Sequence, residues 1–388
     1  MFAPRPGRFW RRWSALAVAP LAVALLLAPA SSTAASARRS FGDARVVAHV
    51  PDPPGFPEGI ALHGTRVYVA GPAAFGTTGK PPSRVVAFDS RSGALAREYR
   101  VEGERLDREH ANSSIAFDGA GRLYVLSTQL GVYRLDPATG TQEPHAEPFP
   151  DLPPCATGTR PCSPAPHDAP PIPNDLAFDE AGNAYVTDST QATVWRIEPV
   201  PGPDGKRHPT VWFQDHRLAS EYIGANGIRF DPQREHLYIT VSTDLSGRSF
   251  VYTLPFPGPG APAPPAGELQ PFHEYLPGEL PDGIAFGQSG LLYVAIANPA
   301  FSGVSILAPR APRAGDAPLG EERVRLRNPP GSPAFPYDSP ANIAFTPHGS
   351  ILLTTHAFVT GAAVPSQFTV LDVFVDDKGV PLERPSIP

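Results

Sequence analysis

Apolar and polar positions along the chain fall into short blocks separated by turn residues, and the blocks recur. Glu58-Gly59-Ile60-Ala61-Leu62, Ser113-Ser114-Ile115-Ala116-Phe117, Asn174-Asp175-Leu176-Ala177-Phe178, Asn226-Gly227-Ile228-Arg229-Phe230, Asp282-Gly283-Ile284-Ala285-Phe286 and Ala341-Asn342-Ile343-Ala344-Phe345 share one pattern. Each copy is followed by a turn rich in Gly, Asp and Asn, then by a second apolar run such as Leu123-Tyr124-Val125-Leu126 or Leu292-Tyr293-Val294-Ala295. Most copies add a third run, for instance Val194-Trp195-Arg196-Ile197. Runs of β-branched and aromatic residues between turn residues are hairpin signals, and helical periodicity is nearly absent over the same span.

The repeated isoleucine or leucine falls at 60, 115, 176, 228, 284 and 343, a period of about 57 residues that fits four-stranded propeller blades with their loops. The expected fold is therefore all-β, a six-bladed β-propeller. Ala44 to Val50 reads as a strand without a blade of its own, whereas the last copy supplies only Asn342 to Phe345, Ile351 to Thr355 and Phe368 to Val375. The N-terminal strand is expected to complete the last blade, which closes the ring and removes an exposed edge. The 51 prolines fall mostly in connections, such as Pro255 to Pro271 and Pro309 to Pro318, where they remove no ladder donors.

Composition narrows the class of protein. The balance of 32 Lys+Arg against 38 Asp+Glu, a formal charge of -6, comes without a basic stripe beyond the N-terminus, so nucleic acid is not an expected partner. Residues 1–37 read as an export signal: Arg5, Arg8, Arg11 and Arg12 precede the apolar run Ala15 to Ala30, and Ala35-Ser36-Ala37 offers a small-residue cleavage site. That run is short for a membrane span and is interrupted by Pro20 and Pro29. The expectation is a single propeller domain over 38–388, secreted or periplasmic, with no stable membrane span after signal cleavage; the Arg11-Arg12 pair hints at twin-arginine export. The two cysteines, Cys155 and Cys162, suggest a disulfide closing a small loop in an exported protein.

The first strand of each propeller blade lines the central channel, so equivalent positions of the six copies face one another around the axis. Two residues before each repeated apolar residue stand Glu58, Ser113, Asn174, Asn226, Asp282 and Ala341. Four of these, Glu58, Asn174, Asn226 and Asp282, offer carboxylate or amide oxygens, the donors that hard cations take. The set lacks cysteine and histidine, which favours calcium over magnesium, manganese and zinc. Asn-Gly and Asp-Gly are also turn dipeptides, but four oxygen residues at one register of one repeat favour the cation, because buried carboxylates without partners are costly.

With Pro57-Glu58-Gly59, Pro173-Asn174-Asp175, Ala225-Asn226-Gly227 and Pro281-Asp282-Gly283 in their blades, the chain resembles the regucalcin/gluconolactonase (senescence marker protein-like) family and, more distantly, the calcium-dependent phosphotriesterase and paraoxonase propellers. The resemblance covers nearly all of the mature chain. It implies that one Glu, two Asn and one Asp hold a catalytic metal, and that the protein is a calcium-dependent lactonase or related ester hydrolase acting on a small lactone or ester. Paraoxonases carry a histidine on the inner strand of the second blade, where this chain has Ser113 or its neighbour.

Asp282 is the candidate base that activates water, with a purely metal-binding role as the alternative. His110 and His356 are candidates for proton transfer at the funnel rim, each more readily read as an ordinary packing histidine; His167, in the cysteine-bounded insertion, is a weaker one. Asp175 is read as making a backbone-turn hydrogen bond in preference to supporting the metal ligands. The excursion from Gly71 to Ser83 is expected to overhang the metal as a lid, with Phe75 a substrate contact. A competing class is a non-catalytic secreted propeller that binds a partner and keeps calcium as a structural ion; a strictosidine-synthase-like enzyme fits the oxygen quartet less well.

Overall fold

The computed structural model describes residues 39–310, 319–332, 335–358, 360–361 and 363–388; the segment read as an export signal lies outside them, as does most of Pro309 to Pro318. The strands form six separate four-stranded antiparallel sheets, and the remaining secondary structure among the described residues is a few short 3-10 turns. No helix among the described residues is long and apolar enough to cross a membrane.

The six repeats are the inner strands: Ile60–His63, Asn112–Phe117, Pro173–Phe178, Ala225–Phe230, Pro281–Phe286 and Pro340–Phe345. Each touches the inner strand of the next blade, and the last touches the first, so the sheets close into a propeller around one axis. The second strand of each blade is buried on both faces, as in Leu123–Ser127, because neighbouring blades cover both sides. The fourth strand faces outward, and in blade one it is polar: Leu95–Arg100 carries Arg97, Glu98 and Arg100 on an exposed edge, which discourages pairing with another chain. In blade six the outer strand is Ala44–His49, paired antiparallel with Thr369–Phe374 from Ala44↔Val373 to His49↔Thr369. Arg39 and Arg45 both reach Asp372 on the adjoining strand, at 2.6 and 2.8 Å.

The seams between blades follow one rule. A tyrosine from the second strand of one blade meets, edge to face, the phenylalanine at position five of the next repeat: Tyr68–Phe117, Tyr124–Phe178, Tyr185–Phe230, Tyr238–Phe286 and Tyr293–Phe345. Edge-to-face pairs of this kind add about 0.5–1.5 kcal/mol to the area they bury. At the sixth seam the tyrosine position is Leu352, opposite Ala344, and the phenylalanine position is Leu62. The last blade joins the first through aliphatic side chains together with a tilted Phe56–Phe368 pair, 4.8 Å between ring centroids.

The turn after the inner strand is tied by an aspartate in blades two, three and four, and by Thr346 in blade six. Asp118 accepts from the N–H groups of Ala120 and Arg122, Asp179 from Asn183 and Asp231 from Glu235, and the carboxylates of Asp118 and Asp179 also meet the hydroxyls of Tyr124 and Tyr185. Blade five has Gly287 at this position, and the carboxylate comes from the C-terminal tail. Asp377 accepts from the Ser289 N–H at 3.3 Å and the Tyr293 hydroxyl at 3.1 Å. A Cβ on Gly287 would stand 1.9 Å from Asp377 Oδ2, so the glycine is the vacancy that the tail fills.

From there the tail straps the base of the channel. The Val380 N–H donates to Phe286 O in blade five, Glu383 pairs with Arg234 in blade four at 2.7 Å, Arg384 donates to Leu62 O in blade one, and Pro385 O accepts from Gly119 in blade two. The borrowed carboxylate yields a test. Asp377→Ala is expected to lower unfolding free energy by about 1–3 kcal/mol, and adding Gly287→Asp to restore a carboxylate to the turn is expected to recover part of it, both read from urea midpoints.

Candidate metal centre on the propeller axis

The inner strands carry a β-bulge where the candidate ligands stand. In blade three Pro173 pairs with Asp188 and Leu176 with Val186, so Asn174 and Asp175 face a shorter stretch of partner strand. The same shift occurs at the same repeat position in blades two, four, five and six. In blade one the Glu58 N–H donates to Ala70 O, and Gly59 O accepts from Ala70 N–H. A bulge re-aims side chains by adding one residue to the strand, which turns positions one and two of each repeat toward the axis and the neighbouring inner strand.

The structure places carboxylates of alternate blades within electrostatic range of one another. Glu58 of blade one is buried, and its carboxylate accepts no hydrogen bond among the described residues. Burial pushes its pKa well above the usual carboxylate value, and the charges of Asp282 in blade five and Asp175 in blade three add to the effect. Asp282 keeps partial exposure; burial and then Asp175 raise its pKa, against the opposing pull of the Gly283 N–H and the Asn226 amide. Blades one, three and five are not neighbours, so only convergence on the axis brings these groups together.

The two asparagines supply oxygen. Ser242 Oγ donates to Pro281 O at 2.8 Å and therefore accepts from Asn226 Nδ2 at 3.0 Å. That fixes the Asn226 amide with Oδ1 buried and without a partner, an arrangement that is costly unless a ligand or water completes it. The Asn174 amide, also buried, has no hydrogen-bond partner among the described residues. Ser113 at the equivalent position of blade two donates to Pro173 O at 2.7 Å, and blade six has Ala341. No three His, Cys, Asp or Glu side chains among the described residues cluster to hold a metal, so the donor set is two carboxylates and two amides. Those residues fit a hard divalent cation, which takes carboxylate and amide oxygens.

Beneath this level lies a feature that sequence reasoning missed. Position four of the repeat is alanine in five blades and arginine, Arg229, in blade four. The Arg229 guanidinium reaches Asp175 Oδ2 at 2.5 Å and also donates to Ile228 O and Leu176 O. Asp175 accepts further bonds from Ser114 Oγ at 2.6 Å and the N–H groups of Leu176 and Ile228. Asp175 is thus the core of a buried axial ion pair as well as an anchor for its own backbone, which corrects the turn reading. The exchange of alanine for arginine in one column of the repeat was the available signal.

The histidine candidates are committed elsewhere. His110 is buried with one ring nitrogen 3.1 Å from Arg108 O and the other 3.0 Å from Pro81 O. His356 is half-buried with Nε2 2.5 Å from Ala73 O, and desolvation lowers its pKa, which favours the neutral ring as donor to that carbonyl. Pro81 and Ala73 belong to the excursion between Gly71 and Ser83, so both histidines staple that loop. His167 is exposed and pairs with Glu221 at 2.6 Å. The loop stands beside the segments that lead into Glu58 and Ser113, through Ala73 N–H to Phe56 O and Asn112 N–H to Pro72 O. Phe75 is 75% exposed at its tip. Cys155 and Cys162 form a disulfide.

Glu109 is the loop's third anchor. It accepts from the hydroxyls and N–H groups of Thr77 and Thr78, and these bonds, the Thr78 hydroxyl foremost, pull its pKa down to about 2. A carboxyl whose folded pKa is depressed stabilises above its unfolded value and loses that stabilisation as pH falls through the folded one. Amide protection at 77–83, taken relative to the intrinsic exchange rate at each pH, is therefore expected to be high at neutral pH and to fall as pH drops from about 4.3, the free glutamate value, through about 2. Glu109→Gln is expected to show the lowered protection already at neutral pH. At the axis, Arg229→Met is expected to cost about 3–5 kcal/mol by stranding Asp175, and Asp175→Asn in the same chain is expected to return part of it in a double-mutant cycle of denaturant unfolding.

Comparison with known proteins matches the SMP-30/gluconolactonase/LRE-like region over residues 97–310, more than half of the chain. The match spans Asn174, Asn226 and Asp282, and Glu58 lies before it. No curated protein matches the sequence significantly. Among solved structures, the calcium-binding protein regucalcin from Agrobacterium tumefaciens superposes with a TM-score of 0.58 at 17% identity, covering 89% of this chain and 98% of that one. A putative oxidoreductase (glucose dehydrogenase) from Thermus thermophilus gives 0.55 at 16% identity, with 86% and 100% covered. A gluconolactonase from Xanthomonas campestris gives 0.50 at 16% identity, with 86% and 90% covered. At these identities the likeness is one of fold.

Proposed function

The chain belongs to the SMP-30/gluconolactonase/LRE-like family, and from that premise we propose that it is an exported, calcium-dependent lactonase or related ester hydrolase whose cation is held by Glu58, Asn174, Asn226 and Asp282. The observation that carries the reading is the set of axial oxygens without protein donors: the Glu58 carboxylate, the Asn174 amide and the orphaned Asn226 Oδ1. A divalent cation bound there would supply Lewis acidity to a lactone or ester carbonyl oxygen.

The chain's own groups divide the remaining work. Glu58, the more buried carboxylate, holds and neutralises the ion. Asp282 keeps exposure to the funnel and is the carboxylate placed to take a proton from entering water. Hydroxyls of Thr240 and Thr354 hold the backbone carbonyls of Asp282 and Glu58, and Ser242 holds the Asn226 amide, so the inner-strand backbone that carries the ligands is set before a ligand arrives, as electrostatic stabilisation requires. The disulfide and the charged, apolar N-terminal pattern support export to an oxidising compartment.

One observation favours the other class of function. Both histidines that could have moved a proton are spent on anchoring the loop, as a non-catalytic propeller with a structural calcium ion would allow. Calcium titrated into chelator-stripped protein separates the two. Calcium is expected to raise the melting temperature and to restore turnover in a panel of lactones and aryl esters. Asp282→Ala and Asn226→Ala are each expected to weaken calcium binding by at least ~10–100-fold and to abolish turnover with the fold retained. Tight binding without turnover of any substrate would assign the non-catalytic role, and absence of binding would remove the site.

A further inference from the structure

The lower half of the channel holds a partly open cavity of about 430 Å³ that the metal ring does not use. It is bounded by positions three to five of the inner strands, by Arg229 toward the ring, and by the strap Lys378–Arg384 at the base. A volume of this size falls within the range of small-molecule pockets, about 300–1,000 Å³.

Its chemistry has two parts. The wall is apolar and repeats around the axis: Leu62, Phe117, Phe178, Phe230, Phe286 and Phe345 all line it, with alanine at position four in five blades leaving the space open. The charged groups are unbalanced. Arg229, Arg234, Lys378 and Arg384 line the cavity against one carboxylate, Glu383. Arg229 is matched by Asp175, and Arg234 by Glu383. Lys378 and Arg384 have no carboxylate within salt-bridge distance among the described residues. Arg384, exposed at the base, lies over the Phe117 ring, 5.7 Å from its centroid, and donates to Leu62 O and to His63 Nδ1. An apolar chamber with surplus cations at one end is complementary to a molecule with an apolar body and one anionic head.

We infer that this chamber is a second ligand site, separate from the metal ring, for a small amphipathic carboxylate: an alkyl or aryl body against the phenylalanine wall, with the carboxylate toward Arg384 and Lys378. Octanoate is the probe. The full chain, with calcium present, is expected to bind it saturably at one per protein in calorimetry and to melt at a higher temperature in its presence. 1-Octanol, with the same tail and no charge, is expected to bind more weakly. Loss of the charged contacts in a Lys378→Gln, Arg384→Gln double variant is expected to weaken octanoate binding by about 10–100-fold. Ala116→Leu and Ala344→Leu, which fill the chamber from two different blades, are each expected to abolish binding, with circular dichroism and the thermal response to calcium confirming that the variants fold.

Chelating calcium is expected to leave octanoate affinity unchanged, which distinguishes this site from the ring. Absence of binding to the wild-type chain, binding unaffected by both filling variants when they fold, or equal affinity for octanoate and octanol would each overturn the assignment.

Discussion

Six inner strands crowd one axis so closely that the backbone of each leans on the backbone of the next. A Cβ on Gly59 would stand 2.9 Å from Ser114 Cα, one on Gly227 2.6 Å from Asp282 O, and one on Gly283 2.6 Å from Ala341 O. Glycine is therefore required at position two in three blades. Where position two is not glycine, the side chain must be polar and bonded across a blade boundary, as Ser114, Asp175 and Asn342 are. Hydroxyls complete the girdle: Thr187, Thr240 and Thr354 donate to the carbonyls of Asn226, Asp282 and Glu58 in the following blade. Buried polar groups in folded proteins are nearly always partnered, and at position one the exceptions are the Glu58 carboxylate, the Asn174 amide and Asn226 Oδ1.

Much of this was legible in the sequence because a repeat converts spacing into geometry. The six copies gave the blade count that the six sheets show, and their common register is the ground for assigning Glu58, Asn174, Asn226 and Asp282 to one level. What escaped was carried by differences between copies. Arg229 stands in a column of alanines, yet its partners Asp175 and Asn342 lie 54 and 113 residues away, and no local pattern announces them. Gly287 reads as an ordinary turn glycine until Asp377 is seen filling its place. The histidines near the funnel drew attention by chemistry, and a long loop that folds back on both of them decided their role.

Charge is distributed along the axis in compensating layers. The ion pair of Arg229 and Asp175 is neutral as a unit, so the guanidinium does not serve as counterion to Glu58 and Asp282 above it. Asp175 instead adds to the cost of ionising both. The upper layer is thus left electrostatically incomplete by the protein alone, while the lower chamber carries a surplus of the opposite sign. One channel holds two environments with different demands, and the ion pair between them keeps each from neutralising the other.

That same pair closes the channel to traffic. Arg229 spans from blade four to Asp175 in blade three and Asn342 in blade six, and the strap crosses the far end without closing it, since Lys378, Leu382 and Arg384 stay exposed. The propeller is two blind alleys set back to back and not a tunnel: whatever enters at the ring must back out through the doorway it came in by, so an arriving molecule waits on the departure of its predecessor.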